Sequence, residues 1–264
     1  MRACRQITTL VSELSRRESW RLELGTGEVV KGRIVESVGR AEEIDRLLAG
    51  LTELPFSRIR HRRADALLEQ WVAGVPLPAD SSDESVAEEA GSILGRLHRV
   101  PAAPSKKAGL QSVAVRLRRL ETCLSRLVAQ RGISEAERQK WLDLARRDAP
   151  REVRVGLIHQ DLCAENIVQT RDGLVVVDNE LLEIGPLEHD LARTWYRWPG
   201  LDRSAFLRGY EKFGSAASFL AHQRFWHTAT LLLAAEYRLS IGLGAGSILA
   251  RARIEAGAPV RAGG

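Results

Sequence analysis

The sequence predicts an α+β protein with a small, strand-rich N-terminal lobe and a larger, mainly helical C-terminal lobe. Up to about residue 72, short segments alternate polar and apolar residues, as strands do, and one segment has helical spacing. From residue 83 onward, apolar residues recur mostly at helical spacing. A stretch rich in glycine and proline, AGVPLP at residues 73–78, lies between these regions. We therefore predict a bilobal chain with lobes at residues 1–72 and 73–264.

The N-terminal lobe contains a predicted β-hairpin, one helix and a further strand. Residues 20–24 (WRLEL) alternate polar and apolar, a GTG turn follows at residues 25–27, and residues 28–35 resume the strand pattern. Residues 42–51 place their aliphatic side chains on one helical face. Residues 66–72 (ALLEQWV) are predicted to form the strand that leads into the Gly/Pro-rich stretch.

Amphipathic helices account for most of the C-terminal lobe. Ser85 and Glu88 have the spacing of a capping box, and a helical apolar pattern follows them. Residues 113–127 predict a long helix with an arginine-rich outer face, and Ser134 opens another helix. Residues 228–235 are apolar on all sides, which predicts a buried helix.

A second predicted hairpin brings two polar side chains together. Residues 167–169 and 174–177 are the strands, and the Asp-Gly pair at residues 172–173 is the turn. Because the hairpin folds its second strand beside the first, Asn166 at its start and Asp178 at its end should lie close together.

Asp161, Asn166 and Asp178 form a pattern that suits phosphoryl transfer. The reaction needs an aspartate and an asparagine on one loop and a further aspartate that leaves an apolar strand. Asp161 can accept the proton of a substrate hydroxyl. Asn166 and Asp178 offer oxygen ligands to Mg²⁺, which would hold the phosphates of a nucleotide. Each residue alone could be a turn or cap residue, but the pattern favours the catalytic interpretation.

Composition excludes several other classes of protein. The net charge of +5 is spread among mixed acids and bases with no recognition motif, so we expect no nucleic-acid partner. This balance favours anionic partners such as nucleotides and disfavours a polycationic acceptor. The three cysteines are far apart and lack metal-binding spacing, and no segment has the length or apolar character of a signal peptide or a membrane span. A cytoplasmic protein with reduced thiols is expected.

Five motifs, in order along the chain, resemble the aminoglycoside phosphotransferase and choline kinase superfamily. HQDLCAEN at residues 159–166 resembles its H-x-D-x-x-x-x-N catalytic loop, and VDNE at residues 177–180 resembles its I-D-x-E. GPLEHDLA at residues 185–192 resembles the G-x-P-x-x-D-L-A that follows. LLEQWVAG at residues 67–74 looks like the hinge between the lobes, and GRLH at residues 95–98 like the end of the first large-lobe helix. One such motif is moderately specific, whereas five in order are strong evidence.

The resemblance implies a protein-kinase-like fold with ATP or GTP bound between the lobes. The N-terminal lobe, residues 1–72, would bind the nucleotide, and residues 73–264 would carry the catalytic and acceptor-binding groups. Backbone groups near Glu69 and Trp71 would contact the purine. The absence of the Asp-Phe-Gly motif argues against a protein kinase as the alternative.

The resemblance also implies a phosphate-binding lysine on the third strand, and two residues compete for this role. Lys31 and Arg33 lie two apart and therefore on one face of the strand. The residue two positions before the lysine must lie against the adenine and be apolar. Val29 meets this condition for Lys31, so we favour Lys31. Its partner on the helix should be Glu43, with Glu42 as the close alternative.

The predicted function is transfer of the γ-phosphate of ATP or GTP to a hydroxyl of a small molecule, with Mg²⁺ as cofactor. Aminoglycoside-like antibiotics, sugars and amino alcohols are all open as acceptors. The phosphate-covering stretch at residues 12–19 lacks the glycines of protein kinases. This departure keeps open a non-catalytic, kinase-like nucleotide-binding module as the alternative.

Several neighbours of these residues have simpler interpretations. His159 is expected to pack the catalytic loop, because Asp161 already fills the role of base. Asp190 is expected to hydrogen-bond that loop, and Trp195 and Trp198 to pack in the core. Cys163 has no nearby cation in the sequence and is expected to be an inert thiol.

Overall fold

The computed structural model describes residues 4–10, 19–101 and 112–257. An antiparallel sheet occupies the N-terminal region and helices dominate the rest, which confirms the predicted α+β, bilobal fold class. Most of the glycine-free stretch at residues 12–19 lies outside the described residues. None of the described helices combines the length and the apolar character that a membrane crossing demands.

The N-terminal sheet is antiparallel throughout, with strand order β1-β2-β3-β5-β4. Its strands are β1 (Cys4–Leu10), β2 (Ser19–Leu24), β3 (Val29–Ile34), β4 (Ile59–Arg63) and β5 (Ala66–Gln70). The β2–β3 hairpin is confirmed, and Gly27 in its turn has a positive φ of 82°. The sequence analysis assigned no strand to β1 or β4. The latter is an edge strand of basic, mostly exposed residues, so it lacks the alternation that marks a half-buried strand.

One helix, α1 (Val38–Ala49), packs against this sheet through Ala41, Ile44 and Leu48. It begins four residues before the predicted start because Ser37 caps it, accepting a hydrogen bond from the Arg40 N–H.

Helices form most of the remaining chain. They are α2 (Glu84–His98), α3 (Val113–Ala129), α4 (Glu135–Asp148), α5 (Leu187–Arg197), α6 (Arg203–Glu211), α7 (Ala217–Ala221), α8 (Gln223–Ser240) and α9 (Gly246–Gly257). The predicted buried helix is confirmed within α8, and Ser134 makes a complete capping box with Glu137 at the start of α4.

The capping box predicted at Ser85 and Glu88 is wrong. Asp83 is the N-cap of α2, and its carboxylate accepts hydrogen bonds from the N–H groups of Ser85 at 2.8 Å and Val86 at 3.1 Å. Glu88 forms ion pairs with Lys212 instead. An aspartate is as good a cap as serine, so the helix begins two residues earlier than the pattern indicated.

Short strands join the sheet to the helices and position the polar residues. β7 (Val155–Ile158) pairs with β10 (Glu183–Pro186), and β8 (Ile167–Thr170) pairs with β9 (Gly173–Val176) and with β6 (Val75–Pro76). The predicted second hairpin is thereby confirmed. Val176 also exchanges backbone hydrogen bonds with Pro55 and Ser57, which connects β9 to the N-terminal region.

Helices α2 and α6 approach each other closely enough to require glycine. A Cβ atom added at Gly209 would lie 1.8 Å from the Glu88 carbonyl oxygen, and one added at Gly91 would lie 2.0 Å from the Phe206 carbonyl oxygen. Each clash is with backbone, so no side-chain movement can relieve it.

We expect Gly209→Ala to lower the free energy of unfolding by about 1 to 3 kcal/mol, because the two helices must separate. Urea denaturation followed by circular dichroism would measure the change. Gly39→Ala is the matched control. It lies in α1 with nothing within 4 Å of an added Cβ, so it should stabilise by about 0.4 to 1 kcal/mol. Equal effects of the two substitutions would contradict the packing argument.

Candidate active site

The loop after β7 is held by a buried aspartate. The Asp190 carboxylate accepts hydrogen bonds from the N–H groups of His159 at 2.8 Å and Gln160 at 2.6 Å, and it lies 3.0 Å from His98 Nε2. These contacts confirm the loop-bracing role predicted for Asp190. His159 is fully buried and its Nε2 lies 3.1 Å from the Asn179 amide oxygen, which confirms its structural role.

Asp161 and Asn166 are in direct contact. The Asn166 side-chain amide donates to the Asp161 carbonyl oxygen at 2.8 Å and to its carboxylate Oδ2 at 3.1 Å. These bonds use the amide nitrogen, so the amide oxygen is the atom of Asn166 that can ligate a metal. The Asp161 side chain is 21% exposed, so solutes can reach it.

Asp178 follows β9 in a left-handed conformation with a φ of 64°. The Val177 N–H donates to the Asn166 carbonyl oxygen at 2.9 Å, so the hairpin brings Asn166 and Asp178 to one end, as predicted. The Asp178 carboxylate Oδ1 lies 2.8 Å from Lys31 Nζ and 3.1 Å from an Arg33 nitrogen. Removal from water would raise the pKa of Asp178, but these cations outweigh that effect and hold the pKa below its usual value.

The donor set fits a magnesium ion. Among the described residues, no group of three His, Cys, Asp or Glu side chains lies close enough to bind a metal. Asn166 and Asp178 instead provide one amide oxygen and one ionised carboxylate at the same end of a hairpin. Mg²⁺ is commonly held by one or two protein oxygen ligands together with water and substrate phosphates.

Lys31 and Arg33 differ in their surroundings, although both contact Asp178. Arg33 is buried and forms ion pairs with Glu69 and, at 3.1 Å, with Glu180. Lys31 is more accessible, with 19% of its side chain exposed. The sequence analysis did not assign the Arg33–Glu69 pair, which crosses from β3 to β5.

The other residues predicted to contact the nucleotide or Lys31 lie in β5, directly after β5, and in α1. Glu69 is buried in β5, and Trp71 follows that strand with 36% of its surface exposed and the Arg21 guanidinium 5.5 Å from its ring centre. Glu43 forms ion pairs with Arg40 at 3.1 Å and Arg46 at 3.9 Å. The structure therefore brings Lys31 to Asp178, and the pair between Lys31 and Glu43 stays a prediction.

Two arginines of α5 contact Asp161 and were not identified from the sequence. Arg197 Nε lies 2.9 Å from Asp161 Oδ1, and an Arg193 nitrogen lies 3.5 Å from the same oxygen. Arg193 Nε also donates to the Gln160 carbonyl oxygen. A signal was present in the sequence, since Arg193 and Arg197 follow Asp190 by three and seven residues and therefore share its helical face.

The remaining neighbours are structural. Burial, and then the charge of Asp161, raise the pKa of the Cys163 thiol to about 12, so it stays protonated at neutral pH. Trp195 and Trp198 are buried, and Trp195 packs edge to face on Phe219 with ring centres 5.0 Å apart. Their predicted packing role is confirmed.

The fold is shared with solved structures of small-molecule kinases. The macrolide 2'-phosphotransferase MphH from Brachybacterium faecium is 20% identical with a TM-score of 0.66, over 96% of this chain and 92% of that one. An ethanolamine kinase from Plasmodium vivax is 12% identical with a TM-score of 0.69, over 94% and 82%. The amicoumacin kinase hAmiN, in complex with AMP-PNP, Ca²⁺ and Ami, is 13% identical with a TM-score of 0.68, over 95% and 87%. At such identities the likeness establishes the fold alone.

The sequence itself identifies the family. Among curated proteins, no relative matches it significantly. The sequence model of the phosphotransferase enzyme family matches residues 31–224, a span that runs from Lys31 past the loop at residues 159–166, Asp178 and α5. This chain therefore belongs to the phosphotransferase enzyme family.

Proposed function

We propose that this protein transfers the γ-phosphate of ATP or GTP to a hydroxyl group of a small molecule. The observation that carries the proposal is the meeting of Asp161, Asn166 and Asp178 in one site through the contacts described above. Family membership and the kinase-like fold support it.

The nucleotide would lie between the sheet and the helices, with its purine near Glu69 and Trp71. Lys31 is the better candidate for the phosphates, because its ammonium is accessible whereas Arg33 is buried against Glu69. Once Asp178 binds the metal ion, the Lys31 ammonium would move away from Asp178. It would then contact the phosphates and pair with Glu43. When bound by Asn166 and Asp178, Mg²⁺ would neutralise charge on the phosphate oxygens.

Asp161 would act as the base and orienting group. The acceptor hydroxyl oxygen attacks the γ-phosphorus, the bond from that phosphorus to the β–γ bridging oxygen breaks, and the nucleoside diphosphate leaves with that oxygen. The hydroxyl proton passes to Asp161. Asn166 and Arg197 hold the two carboxylate oxygens, which fixes the direction in which Asp161 meets the hydroxyl.

Asp178→Asn should weaken binding of the magnesium–nucleotide complex by about 10- to 100-fold, because a charged ligand is replaced by a neutral one. A titration of nucleotide by thermal shift, with and without Mg²⁺, measures this loss. Asp172→Asn, in the exposed turn of the same hairpin, is the matched control and should leave binding unchanged. If Asp178→Asn binds the complex like wild type, Asp178 is not a metal ligand.

Phosphoryl transfer to a panel of hydroxyl compounds, with radiolabelled ATP and GTP compared as donors, tests the function directly. Labelled product formed by wild type would establish the activity and the donor. Nucleotide binding without any transfer or hydrolysis would favour the non-catalytic binding module.

A further inference from the structure

Arg197, the last residue of α5, lies beside the carboxylate that is proposed to receive the hydroxyl proton. Its Nε donates to Asp161 Oδ1 at 2.9 Å. The Arg197 side chain is 23% exposed and that of Asp161 is 21% exposed, so solutes can contact both. A group bound at Asp161 therefore has a guanidinium next to it.

The outer end of the Arg197 guanidinium has only distant partners. Its Nη2 lies 3.7 Å from a Glu165 carboxylate oxygen, which is too long for a hydrogen bond, and 3.9 Å from Cys163 Sγ, which is a weak acceptor. The Glu165 side chain is 52% exposed, so water screens its charge. Among the described residues, the Nη atoms of Arg197 donate no hydrogen bond to an oxygen. These donors are available to a ligand.

The second arginine of this helix, Arg193, is bound to the loop backbone instead. Its Nε donates to the Gln160 carbonyl oxygen, and one of its terminal nitrogens lies 3.5 Å from Asp161 Oδ1. Arg193 precedes Arg197 by four residues, so both guanidinium groups approach the same carboxylate oxygen from one helical face. The backbone bond fixes Arg193 to the loop, which leaves Arg197 the less constrained of the two.

The phosphoryl group that is transferred must come close to Arg197. A hydroxyl that gives its proton to Asp161 lies about 2.6 to 3.2 Å from a carboxylate oxygen. Before the new bond forms, the γ-phosphorus lies about 3 to 3.5 Å from that hydroxyl oxygen. During transfer the phosphorus moves from the bridging oxygen towards the hydroxyl oxygen, and therefore towards Asp161 and Arg197. The phosphoryl oxygens thus come within reach of a long, partly exposed arginine side chain.

A cation on the acceptor side suits the charge of this group. In the transition state, negative charge is spread over three equatorial oxygens. In the proposed arrangement, Lys31 approaches the phosphates from the nucleotide side, as does the metal ion held by Asn166 and Asp178. A guanidinium is always charged at neutral pH, and its planar set of N–H donors matches phosphate oxygens.

We propose that Arg197 is a catalytic residue, which donates from its Nη atoms to an oxygen of the γ-phosphoryl group during transfer while its Nε stays on Asp161. The inference rests on the proposed function and adds a direct contact with the reacting group. The bonds that change are the same, and the hydroxyl proton still passes to Asp161. Because the phosphorus approaches Arg197 as it is transferred, the contact is stronger in the transition state than in the bound nucleotide and lowers the barrier.

A double-mutant cycle separates a direct contact from an effect exerted through Asp161. Hydrolysis of radiolabelled ATP or GTP with Mg²⁺, with water as acceptor and enzyme in excess, is compared for wild type, Arg197→Gln, Asp161→Asn and the double variant. We expect Arg197→Gln to lower the rate by about 10²- to 10³-fold, the usual effect of removing one donor to a transition-state oxygen. In the Asp161→Asn background it should still lower the rate about tenfold or more, because contact with the phosphoryl group does not need the carboxylate.

Binding of a transition-state mimic gives a second readout that does not depend on turnover. The nucleoside diphosphate with Mg²⁺ and aluminium fluoride places a planar, anionic group where the phosphoryl group is transferred. Arg197→Gln should bind this complex about 10- to 100-fold more weakly than wild type, yet bind Mg²⁺ with a non-hydrolysable triphosphate within about twofold of wild type. Isothermal titration calorimetry measures both affinities. Their ratio is taken within one protein, so partial loss of folded enzyme does not change it.

Arg146→Gln is the matched control, since Arg146 lies on α4 with 56% of its side chain exposed. It should match wild type in hydrolysis and in both affinities. If Arg197→Gln has no effect in the Asp161→Asn background, or keeps the wild-type ratio of affinities, Arg197 acts only by holding Asp161. Either result would overturn the inference and leave the proposed function intact. A wild type that binds neither complex and turns over no nucleotide, with water or with any acceptor of the panel, would contradict the proposed function and this inference with it.

Discussion

Asp161→Asn should reduce phosphoryl transfer by about 10²- to 10⁴-fold, the range contributed by a positioned general base. Asparagine keeps the shape of the side chain but cannot take the hydroxyl proton. In the wild type, the Asn166 amide and the Arg197 guanidinium each contact one oxygen of the Asp161 carboxylate. An asparagine offers these two donors only one acceptor oxygen. Initial rates of phosphoester formation at saturating nucleotide measure the loss.

Two further measurements make the Asp161 result specific. Thermal shift with magnesium and nucleotide should show that Asp161→Asn still binds the donor, because Asn166 and Asp178 are intact. Asp172→Asn, an exposed position outside the site, should retain the wild-type rate. Transfer by Asp161→Asn at the wild-type rate would remove Asp161 from the mechanism.

Asp190→Asn should lower the free energy of unfolding by about 3 to 5 kcal/mol, because three donors lose a buried, charged acceptor and each such hydrogen bond contributes about 1.5 to 3 kcal/mol. Asp190 is fully buried and accepts hydrogen bonds from two backbone N–H groups of the loop after β7, and it also contacts His98. An asparagine at this position would turn its NH₂ group towards N–H donors such as those of His159 and Gln160. That group cannot accept their hydrogen bonds. Chemical denaturation at neutral pH measures this loss, with Asp172→Asn expected to stay within about 0.5 kcal/mol of wild type.

The contribution of Asp190 to the free energy of unfolding should also depend on pH. Burial would raise the pKa of Asp190, but hydrogen bonds and the charges of His98 and His159 outweigh it, so the pKa is lower in the folded state. A group of this kind stabilises the fold above its unfolded pKa of about 3.9, and the stabilisation disappears as the pH falls through the folded pKa. The difference between wild type and Asp190→Asn should therefore shrink in acid. A constant difference down to acid unfolding would contradict the argument.

The elements that the sequence predicts well are those with local causes. The β8–β9 hairpin depends on an Asp-Gly turn between apolar strands, and it alone brings Asn166 and Asp178 together. The capping box at Ser134 uses two residues three apart. Both are determined within about ten residues of chain, so no tertiary information is needed.

The features that the sequence does not predict depend on packing between distant segments. The ion pair between Arg33 and Glu69 requires the register between β3 and β5, which periodicity does not determine. Arg193 and Arg197 reach Asp161 only because Asp190 anchors α5 against the loop. A long flexible side chain can meet many partners, and only the tertiary structure decides which one it contacts.

The backbone bonds from Val176 to Pro55 and Ser57 have a mechanical consequence. Just before Asp178, these bonds join the loop that precedes β4 in the N-terminal lobe to the helical lobe, and the Asn179 amide donates a further bond to the Ser57 hydroxyl at 2.9 Å. Any rocking of one lobe against the other that preserves these bonds must turn about this point. Asp178 would then lie near the pivot, where displacement is smallest.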